Sequence, residues 1–242
     1  MSDDALLSDE PFTSLRVGGF VPFSSSDYPD ALAAVVFCQG CPWRCRYCHN
    51  PHLIGPHGPD ERDFARIVAW LRSRVGLLDA VVFSGGEPTA QPALADAART
   101  VRALGFRVGL HTGGAYPRRL ARVLSHVDWV GLDVKAPSAS YGTVTGVRGS
   151  GASAAASLDI VLRSGVACEL RTTVHPDVTP GVALEQVARE LASRGVTRWT
   201  LQRFRAEGCA DRSLVERSRA DTIVEAGLLA RLAQHVPAIS VR

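Results

Sequence analysis

Continuous apolar runs alternate with amphipathic stretches along most of the chain. Such runs are typical of strands buried on both faces, and apolar residues at helical spacing are typical of helices that pack on a sheet. The predicted strands cover residues 31–37, 79–84, 106–111, 127–135, 168–174 and 199–204. The predicted helices cover residues 60–75 (with Asp60 as the cap), 92–104, 117–124, 152–163, 184–193 and 221–234. This alternation predicts parallel strands joined by right-handed crossovers.

The segments outside this repeat are predicted to be less regular. They comprise a polar lead-in at residues 1–13, a short strand or hairpin interrupted by Gly18 and Gly19 at residues 14–23, a soft connector at residues 137–151, a polar irregular segment at residues 205–218 and a candidate closing strand at residues 238–241. We expect one domain over residues 1–242, with an N-terminal lead-in (1–30), a core (31–204) and a C-terminal extension (205–242).

The placement of polar residues favours a barrel over an open doubly wound sheet. Polar or glycine-rich residues follow each of the first five predicted strands, and so they fall on one rim. Barrels collect chemistry from many strands at this rim, whereas an open sheet concentrates it at one switch point. Six units are too few for a complete TIM barrel. We therefore predict an α/β fold with a partial (β/α)6 barrel that is open on one side.

Composition narrows the class of protein without changing this prediction. With 46% apolar and 21% charged residues, the 242-residue chain has the composition of an ordinary globular protein. A net charge of +3 is too small to indicate nucleic-acid binding, and no apolar run is long enough to span a membrane. The first ten residues are acidic and lack the features of a secretory signal. We expect a cytoplasmic protein with reduced thiols.

The densest candidate chemistry lies directly after the first predicted core strand. Four of the six cysteines lie between positions 38 and 48, and Cys41, Cys45 and Cys48 follow a Cys-x3-Cys-x2-Cys spacing. Three thiolates are one short of the usual ligand set of an iron–sulfur cluster or of a closed zinc site. A zinc knuckle with Cys38 as fourth ligand is the alternative. Paired zinc-binding Cys-x2-Cys motifs are normally much further apart in sequence than these two.

Two further candidates follow later strands. Gly85 and Gly86 permit a close backbone approach, and Glu87 supplies an acceptor for a ligand amine. Asp133 and Lys135 end the fourth strand, and Lys135 is the only lysine in the chain. A compact ammonium is therefore indicated at that position. The alternative is a surface ion pair at the end of a strand.

Arg171 is the candidate on the fifth strand. If Leu170 faces the helices, period-two alternation directs Glu169 and Arg171 into the barrel. A buried charge needs a partner in either case. The alternative is a Glu169–Arg171 or Arg171–Asp133 ion pair that only fills the barrel.

Together, these motifs resemble the radical S-adenosylmethionine (SAM) superfamily. The resemblance rests on the three cysteines with an aromatic residue, Tyr47, before the third, and on Gly85-Gly86-Glu87 one unit later. It implies a partial (β/α)6 barrel and a 4Fe–4S cluster held by Cys41, Cys45 and Cys48, with SAM on the fourth iron. The implied SAM-binding residues are Tyr47, Gly85, Gly86, Glu87, Asp133, Lys135 and Arg171. Of these, Glu87 receives the amino group, Lys135 suits the carboxylate, and Asp133 faces the ribose or a cation.

Longer strings narrow the resemblance to a subgroup. They are Tyr28-Pro29, Cys48-His49-Asn50-Pro51, Asp133–Pro137, Arg171–Pro176 and Leu201–Phe204, and they are similar to the activating proteins of anaerobic ribonucleoside-triphosphate reductases. The resemblance implies that the chain generates a glycyl radical on such a reductase. The implied partners are that glycyl radical enzyme and a flavodoxin- or ferredoxin-type electron donor, with no nucleic acid and no membrane.

Three other functions remain open at this point. They are a radical SAM enzyme for a small molecule, of the 7-carboxy-7-deazaguanine synthase type, an activase of another glycyl radical enzyme, and a zinc-binding interaction module. Cys38 departs from the family pattern, in which relatives often carry threonine at this place. Cys168 is expected to pack in its strand, and no role is assigned to Cys209.

Overall fold

A nine-stranded sheet organises the described part of the chain, residues 15–218 and 225–242 of a computed structural model. The strands are β1 (Arg16–Ser24), β2 (Ala33–Cys38), β3 (Arg62–Asp63), β4 (Ala80–Gly85), β5 (Arg107–Thr112), β6 (Trp129–Asp133), β7 (Ala167–Val174), β8 (Arg198–Arg203) and β9 (Ala238–Val241). Their order is β3-β1-β2-β4-β5-β6-β7-β8-β9. All pairings from β2 to β9 are parallel, whereas β1 runs antiparallel to β2 and β3.

Helices connect the parallel strands. They are α1 (Phe64–Arg72), α2 (Leu94–Ala103), α3 (Pro117–Val123), α4 (Tyr141–Thr145), α5 (Ser150–Ser164), α6 (Gly181–Ala192), α7 (Arg212–Arg217) and α8 (Ala226–Ala233). Helix α1 buries Phe64, Ile67 and Leu71 because a spacing of three and four residues places them on one face. None of the described helices combines the length and the apolar composition that a membrane crossing requires.

The two faces of the sheet bury different residues. In β2, Ala34 and Val36 belong to the large core between the sheet and the helices. Ala33 and Val35 point to the other face and belong to a smaller apolar cluster, which we call the inner cluster. Tyr28, from the connector before β2, joins that inner cluster. Gly109 leaves space for it, because a Cβ there would lie 2.9 Å from the Tyr28 ring. Apolar side chains therefore fill the inner face of the sheet near the amino ends of the strands. The polar residues of this face lie at the carboxyl ends of the strands.

The predicted fold class is confirmed. The six predicted core strands form parallel neighbours, and the predicted closing strand is β9. Among the described residues, the edge formed by β3 and β1 does not pair with β9, so the sheet is not closed. The first predicted helix begins later than expected, since Asp63, and not Asp60, caps α1 by accepting a 2.9 Å hydrogen bond from the Ala65 N–H.

Two local predictions were wrong because tertiary packing orders polar segments, and a third offered two alternatives of which the structure contains one. Of the strand and the hairpin considered for residues 14–23, the structure contains the strand, β1, in which Gly18 makes room for the Gln39 side chain. The soft connector at 137–151 contains α4 and the start of α5. The irregular segment at 205–218 contains α7, which buries Leu214. Residues 1–14, and residues 221–224 of the last predicted helix, lie outside the described part.

Candidate active site

All ten predicted site residues lie on one cleft. The cleft has a volume of about 450 Å³ and is formed mainly by residues at and just beyond the carboxyl ends of the parallel strands. The predicted residues that line it are Cys41, Cys45, Tyr47, Cys48, Gly85, Gly86, Glu87, Asp133, Lys135 and Arg171. Because these residues come from four different strand ends, only the folded sheet brings them together.

The loop that carries the cysteines is held by backbone hydrogen bonds on two sides. On one side, the Cys41 N–H donates to the Ile54 carbonyl at 3.1 Å. On the other, the Arg44 N–H donates to the Thr145 carbonyl at 2.8 Å, at the end of α4. The thiols of Cys41, Cys45 and Cys48 are partly exposed. An irregular loop thus presents three thiols from a fixed backbone.

Cys38 does not join the other three. It is fully buried in the core under the helices and does not line the cleft. The zinc-knuckle alternative therefore lacks its fourth ligand. Among the residues that the structure describes, no three His, Cys, Asp or Glu side chains converge closely enough to hold a single metal ion.

The electrostatic environment of the three thiols includes one nearby cation. Burial raises the pKa of Cys41 to about 12, and it also raises the pKa of Cys45 and of Cys48. The ammonium of Lys135 opposes this increase at all three thiols. Lys135 thus favours the thiolate form, which is the form that ligates metals.

The Gly85-Gly86-Glu87 turn packs directly on the cysteine loop. The Gly86 N–H donates to the Cys38 carbonyl and the Glu87 N–H donates to the Gly40 carbonyl, each at 2.9 Å. A Cβ on Gly85 would lie 2.5 Å from the Cys38 nitrogen, and a Cβ on Gly86 would overlap the Gly40 carbonyl oxygen. The glycines are therefore required where the turn meets the backbone of the cysteine loop, whereas the sequence analysis predicted a close backbone approach without naming the segment approached.

Glu87 is buried and extensively hydrogen-bonded. Its Oε1 accepts from the Thr89 N–H at 3.1 Å, from the Thr89 hydroxyl at 2.5 Å and from the Thr112 hydroxyl at 2.6 Å. Its Oε2 accepts from the Gly113 N–H at 2.9 Å. Because Oε2 accepts one bond and Oε1 accepts three, Oε2 is the oxygen with room for a further donor.

Asp133, Lys135 and Arg171 form one charged group. Lys135 Nζ lies 3.2 Å from Asp133 Oδ2, and Arg171 Nε lies 3.1 Å from Asp133 Oδ1. Arg171 also donates to the Gly131 carbonyl at 3.2 Å, and Gly131 leaves room for its guanidinium. Of the two ion pairs considered for Arg171, the structure contains the one with Asp133, whereas Glu169 pairs with Arg242 at 2.9 Å.

Two cations share a single carboxylate in this group. Burial alone would raise the pKa of Asp133, but Lys135 and Arg171 together lower it to about 2. The carboxyl is therefore ionised at neutral pH, and the group carries one excess positive charge. Lys135 Nζ also lies 5.5 Å from the centre of the Tyr47 ring, which gives the cation a second favourable contact.

His111 also lines the cleft, and the sequence analysis did not name it. Its Nε2 donates to the Asp27 carbonyl at 2.9 Å, so Nδ1 is the acceptor that faces the Ser84 hydroxyl at 3.4 Å. Burial, aided by the charge of Arg171, lowers the pKa of His111 to about 4, so the ring is neutral at neutral pH. Its position at the end of the third predicted strand was the signal available in the sequence.

Tyr141 connects the charged group to the cysteine loop. Its hydroxyl accepts from the Lys135 N–H and donates to the Asp133 carbonyl, each at 3.1 Å. Its ring packs edge-on against Trp43 of the cysteine loop, with 5.8 Å between ring centres. The sequence analysis assigned a role to neither residue. Tyr141 lies in the segment predicted as a soft connector.

Comparison with known proteins agrees with this geometry. A family model described as the radical SAM superfamily matches residues 35–191. A protein of Methanocaldococcus jannaschii, provisionally named a glycyl-radical enzyme activating enzyme, is 29% identical over 204 residues, which are 81% of this chain and 82% of that protein. The pyruvate formate-lyase-activating enzyme of Clostridium pasteurianum is 34% identical over 109 residues, which are 43% of this chain and 46% of that enzyme.

A solved structure supports the fold. Streptococcus suis SuiB bound to its precursor peptide SuiA matches with a TM-score of 0.62 and 12% identity, over 86% of this chain and 48% of that chain. The chain thus spans about half the length of SuiB and of the clostridial enzyme. The family model covers well over half of the 242 residues. The chain therefore belongs to the radical SAM superfamily, whose enzymes work with a 4Fe–4S cluster and SAM.

Proposed function

We propose that this protein activates a glycyl radical enzyme, and that its target is an anaerobic ribonucleotide reductase. The observation that carries the proposal is the meeting of three partly exposed thiols, a buried glutamate and a net positive charged group on one open cleft. The similarity over most of its length to a protein provisionally named as an activase supports the general function. The reductase as target rests on the sequence strings around the cysteines and strands.

The residues of the cleft fit the two cofactors of the superfamily. Cys41, Cys45 and Cys48 supply three thiol ligands for the cluster, and Cys38 lies too deep in the core to be the fourth. Three thiols are one short of the usual ligand set of such a cluster, which would leave a place for SAM to bind. When bound, the two cofactors supply one-electron chemistry that removes a hydrogen atom from the substrate.

The remaining residues bind and orient SAM in this proposal. Glu87 Oε2 accepts from the amino group, because it is the carboxylate oxygen with spare capacity. Lys135 and Arg171 balance the methionine carboxylate, because Asp133 neutralises only one of the two cations. Tyr47 closes the side of the cleft next to Lys135, and Gly85 and Gly86 hold the Glu87 turn against the cysteine loop.

The open side of the barrel suits a protein substrate. Among the described residues, the edge of β1 beyond Val17 and the outer edge of β9 have no strand partner, so the sheet does not close around the cleft. A peptide segment that carries a glycine needs this kind of access. We infer that the segment enters between these two edges.

The Tyr141 hydroxyl provides a test of the proposed SAM site. The Tyr141→Phe substitution keeps the ring against Trp43 and removes both hydrogen bonds to the Asp133–Lys135 turn. We expect SAM affinity to fall about 5- to 10-fold, consistent with the loss of about 1 kcal/mol of hydrogen bonding. Isothermal titration with the cluster-containing protein measures this change.

Tyr116→Phe is the matched control for this experiment. It removes a hydroxyl from a tyrosine whose ring lies against Arg119 and which does not line the cleft. SAM affinity should then remain unchanged. Equal affinities for the Tyr141→Phe and wild-type proteins, with equal iron content, would contradict a positioning role for Tyr141.

The proposed function is tested by radical formation on the partner. Anaerobically reconstituted protein, SAM, dithionite and a candidate anaerobic reductase are combined, and the glycyl radical is measured by electron paramagnetic resonance. We expect a glycyl signal that requires every component. SAM cleavage without that signal, together with turnover of a purine-like substrate in the absence of a protein partner, would favour the small-molecule alternative.

A further inference from the structure

The outer surface of the cysteine loop carries arginines that the proposed reaction does not use. Arg44 and Arg46 flank Cys45 in sequence, and both side chains are exposed. Neither residue lines the cleft, whereas Cys45 does. The loop therefore presents its thiols on one side and guanidinium groups on the other.

Two segments that contact the cysteine loop carry further exposed arginines. The end of α4 contacts the loop through the hydrogen bond from the Arg44 N–H to the Thr145 carbonyl, and Arg148 follows three residues later. The start of α7 contacts it through the Arg46–Asp211 ion pair at 2.9 Å, and Arg212 is the next residue. Arg148 and Arg212 are exposed and do not line the cleft. We call Arg44, Arg46, Arg148 and Arg212 the arginine face.

Few acidic groups balance these charges. Asp211 pairs with Arg46 and also caps α7 by accepting from the Ser213 N–H, Glu207 is exposed in the preceding turn, and Glu216 is exposed on α7 four residues after Arg212. Among the residues that the structure describes, Arg44, Arg148 and Arg212 form no ion pair. With these three carboxylates counted against its four arginines, the arginine face keeps a net positive charge of one. Such a face attracts acidic proteins at low ionic strength.

The location of the arginine face decides which acidic protein fits. A protein docked on it reaches the back of the cysteine loop one residue from Cys45, but it does not enter the cleft. A substrate that gives up a hydrogen atom must enter the cleft, whereas a protein that delivers an electron needs only to approach the cluster. The position therefore suits an electron donor.

We propose that the arginine face docks an acidic one-electron carrier protein of the flavodoxin or ferredoxin class. The carrier is oxidised by one electron and the cluster is reduced by one, and no bond or proton is exchanged. The inference rests on the cofactor set and activase function proposed above. It adds the surface through which the electron arrives.

Two charge-matched double variants test the inference. Arg44→Glu with Arg148→Glu reverses the arginine face but leaves the Arg46–Asp211 ion pair in place. Arg66→Glu with Arg72→Glu makes the same change in net charge on the exposed surface of α1, outside the cleft. The reconstituted proteins are mixed with a reduced acidic flavodoxin in anaerobic stopped flow. Cluster bleaching gives the second-order rate constant of reduction, and titration with oxidised flavodoxin gives its affinity.

For the arginine-face variant we expect a rate constant and an affinity that are both lower by about 10-fold or more at low salt. The difference should shrink at high salt, because screening weakens exposed charges. The α1 variant should behave as wild type, and dithionite should reduce all three proteins equally. Equal behaviour of the two variants with flavodoxin would overturn the inference, as would loss of reductase binding with unchanged reduction by flavodoxin.

The two proposals fail in different measurements. The glycyl radical assay uses dithionite and needs no carrier protein. Absence of the glycyl signal would therefore contradict only the activase function. The stopped-flow comparison follows cluster reduction and needs no reductase. Equal rate constants for the two double variants would therefore contradict only the proposed docking surface.

Discussion

Replacing Cys41, Cys45 or Cys48 individually by alanine is expected to abolish cluster binding and SAM cleavage. Each substitution removes one of the three cysteine thiols that line the cleft among the described residues. Iron and acid-labile sulfide should fall to background after anaerobic reconstitution, and 5′-deoxyadenosine should not be detectable by chromatography. This is the largest effect that we expect from any single substitution.

The other cysteines provide the controls. Cys38→Ala removes a fully buried thiol and is expected to cost about 1 kcal/mol of folding stability while the iron content stays unchanged. Cys209→Ala removes a thiol that lies 3.5 Å from the Arg46 carbonyl oxygen, and it should also retain the cluster. A Cys38→Ala protein without iron, together with a Cys48→Ala protein that keeps it, would refute the proposed ligand set.

Replacing Gly85 by alanine is expected to lower the free energy of unfolding by about 3 kcal/mol or more. The backbone of Gly85 has a φ of 110°, and an added Cβ would lie 2.5 Å from the Cys38 nitrogen and 2.7 Å from its carbonyl oxygen. Rigid backbone cannot yield as a side chain does, so the turn must separate from the cysteine loop. SAM affinity should fall together with stability, because Glu87 moves with the turn.

Gly105→Ala separates steric overlap from backbone strain. Gly105 has a φ of 95°, but nothing lies within 4 Å of its hypothetical Cβ. This variant should cost only about 1 kcal/mol, from the left-handed conformation alone. Urea denaturation of both variants gives the two free energies. Equal costs would mean that the contact between the turn and the cysteine loop does not restrict residue 85.

The strands were the most predictable part of the fold. Residues 31–37 are apolar at every position and residues 79–84 at all but their two ends, and the structure places these runs in the adjacent parallel strands β2 and β4. A run of this kind has few alternatives, because it must be covered on both faces. The segments that were mispredicted, 137–151 and 205–218, are polar and small, and they become helical because Tyr141, Val144 and Leu214 bury against the cysteine loop region.

The ten site residues were predicted from motifs, and the structure brings them to one cleft without testing the role of each. The contributions of His111, Tyr141 and Trp43 were not predictable in the same way. They act through contacts with residues far away in sequence, such as the bond from His111 Nε2 to the Asp27 carbonyl. A single sequence carries no signal for such a contact.

The amino-acid sequence by itself determined the alternation of strands and helices, the type of donor at each strand end and the three-thiol spacing. These properties are local, because hydrophobic periodicity and residue chemistry are read within a few positions. The tertiary structure alone decided that Cys38 is buried, that Arg171 pairs with Asp133, that the glycines serve the contact with the cysteine loop, and that arginines cover its outer face. Burial and charge pairing depend on which distant segments meet, and that is settled only when the sheet has formed.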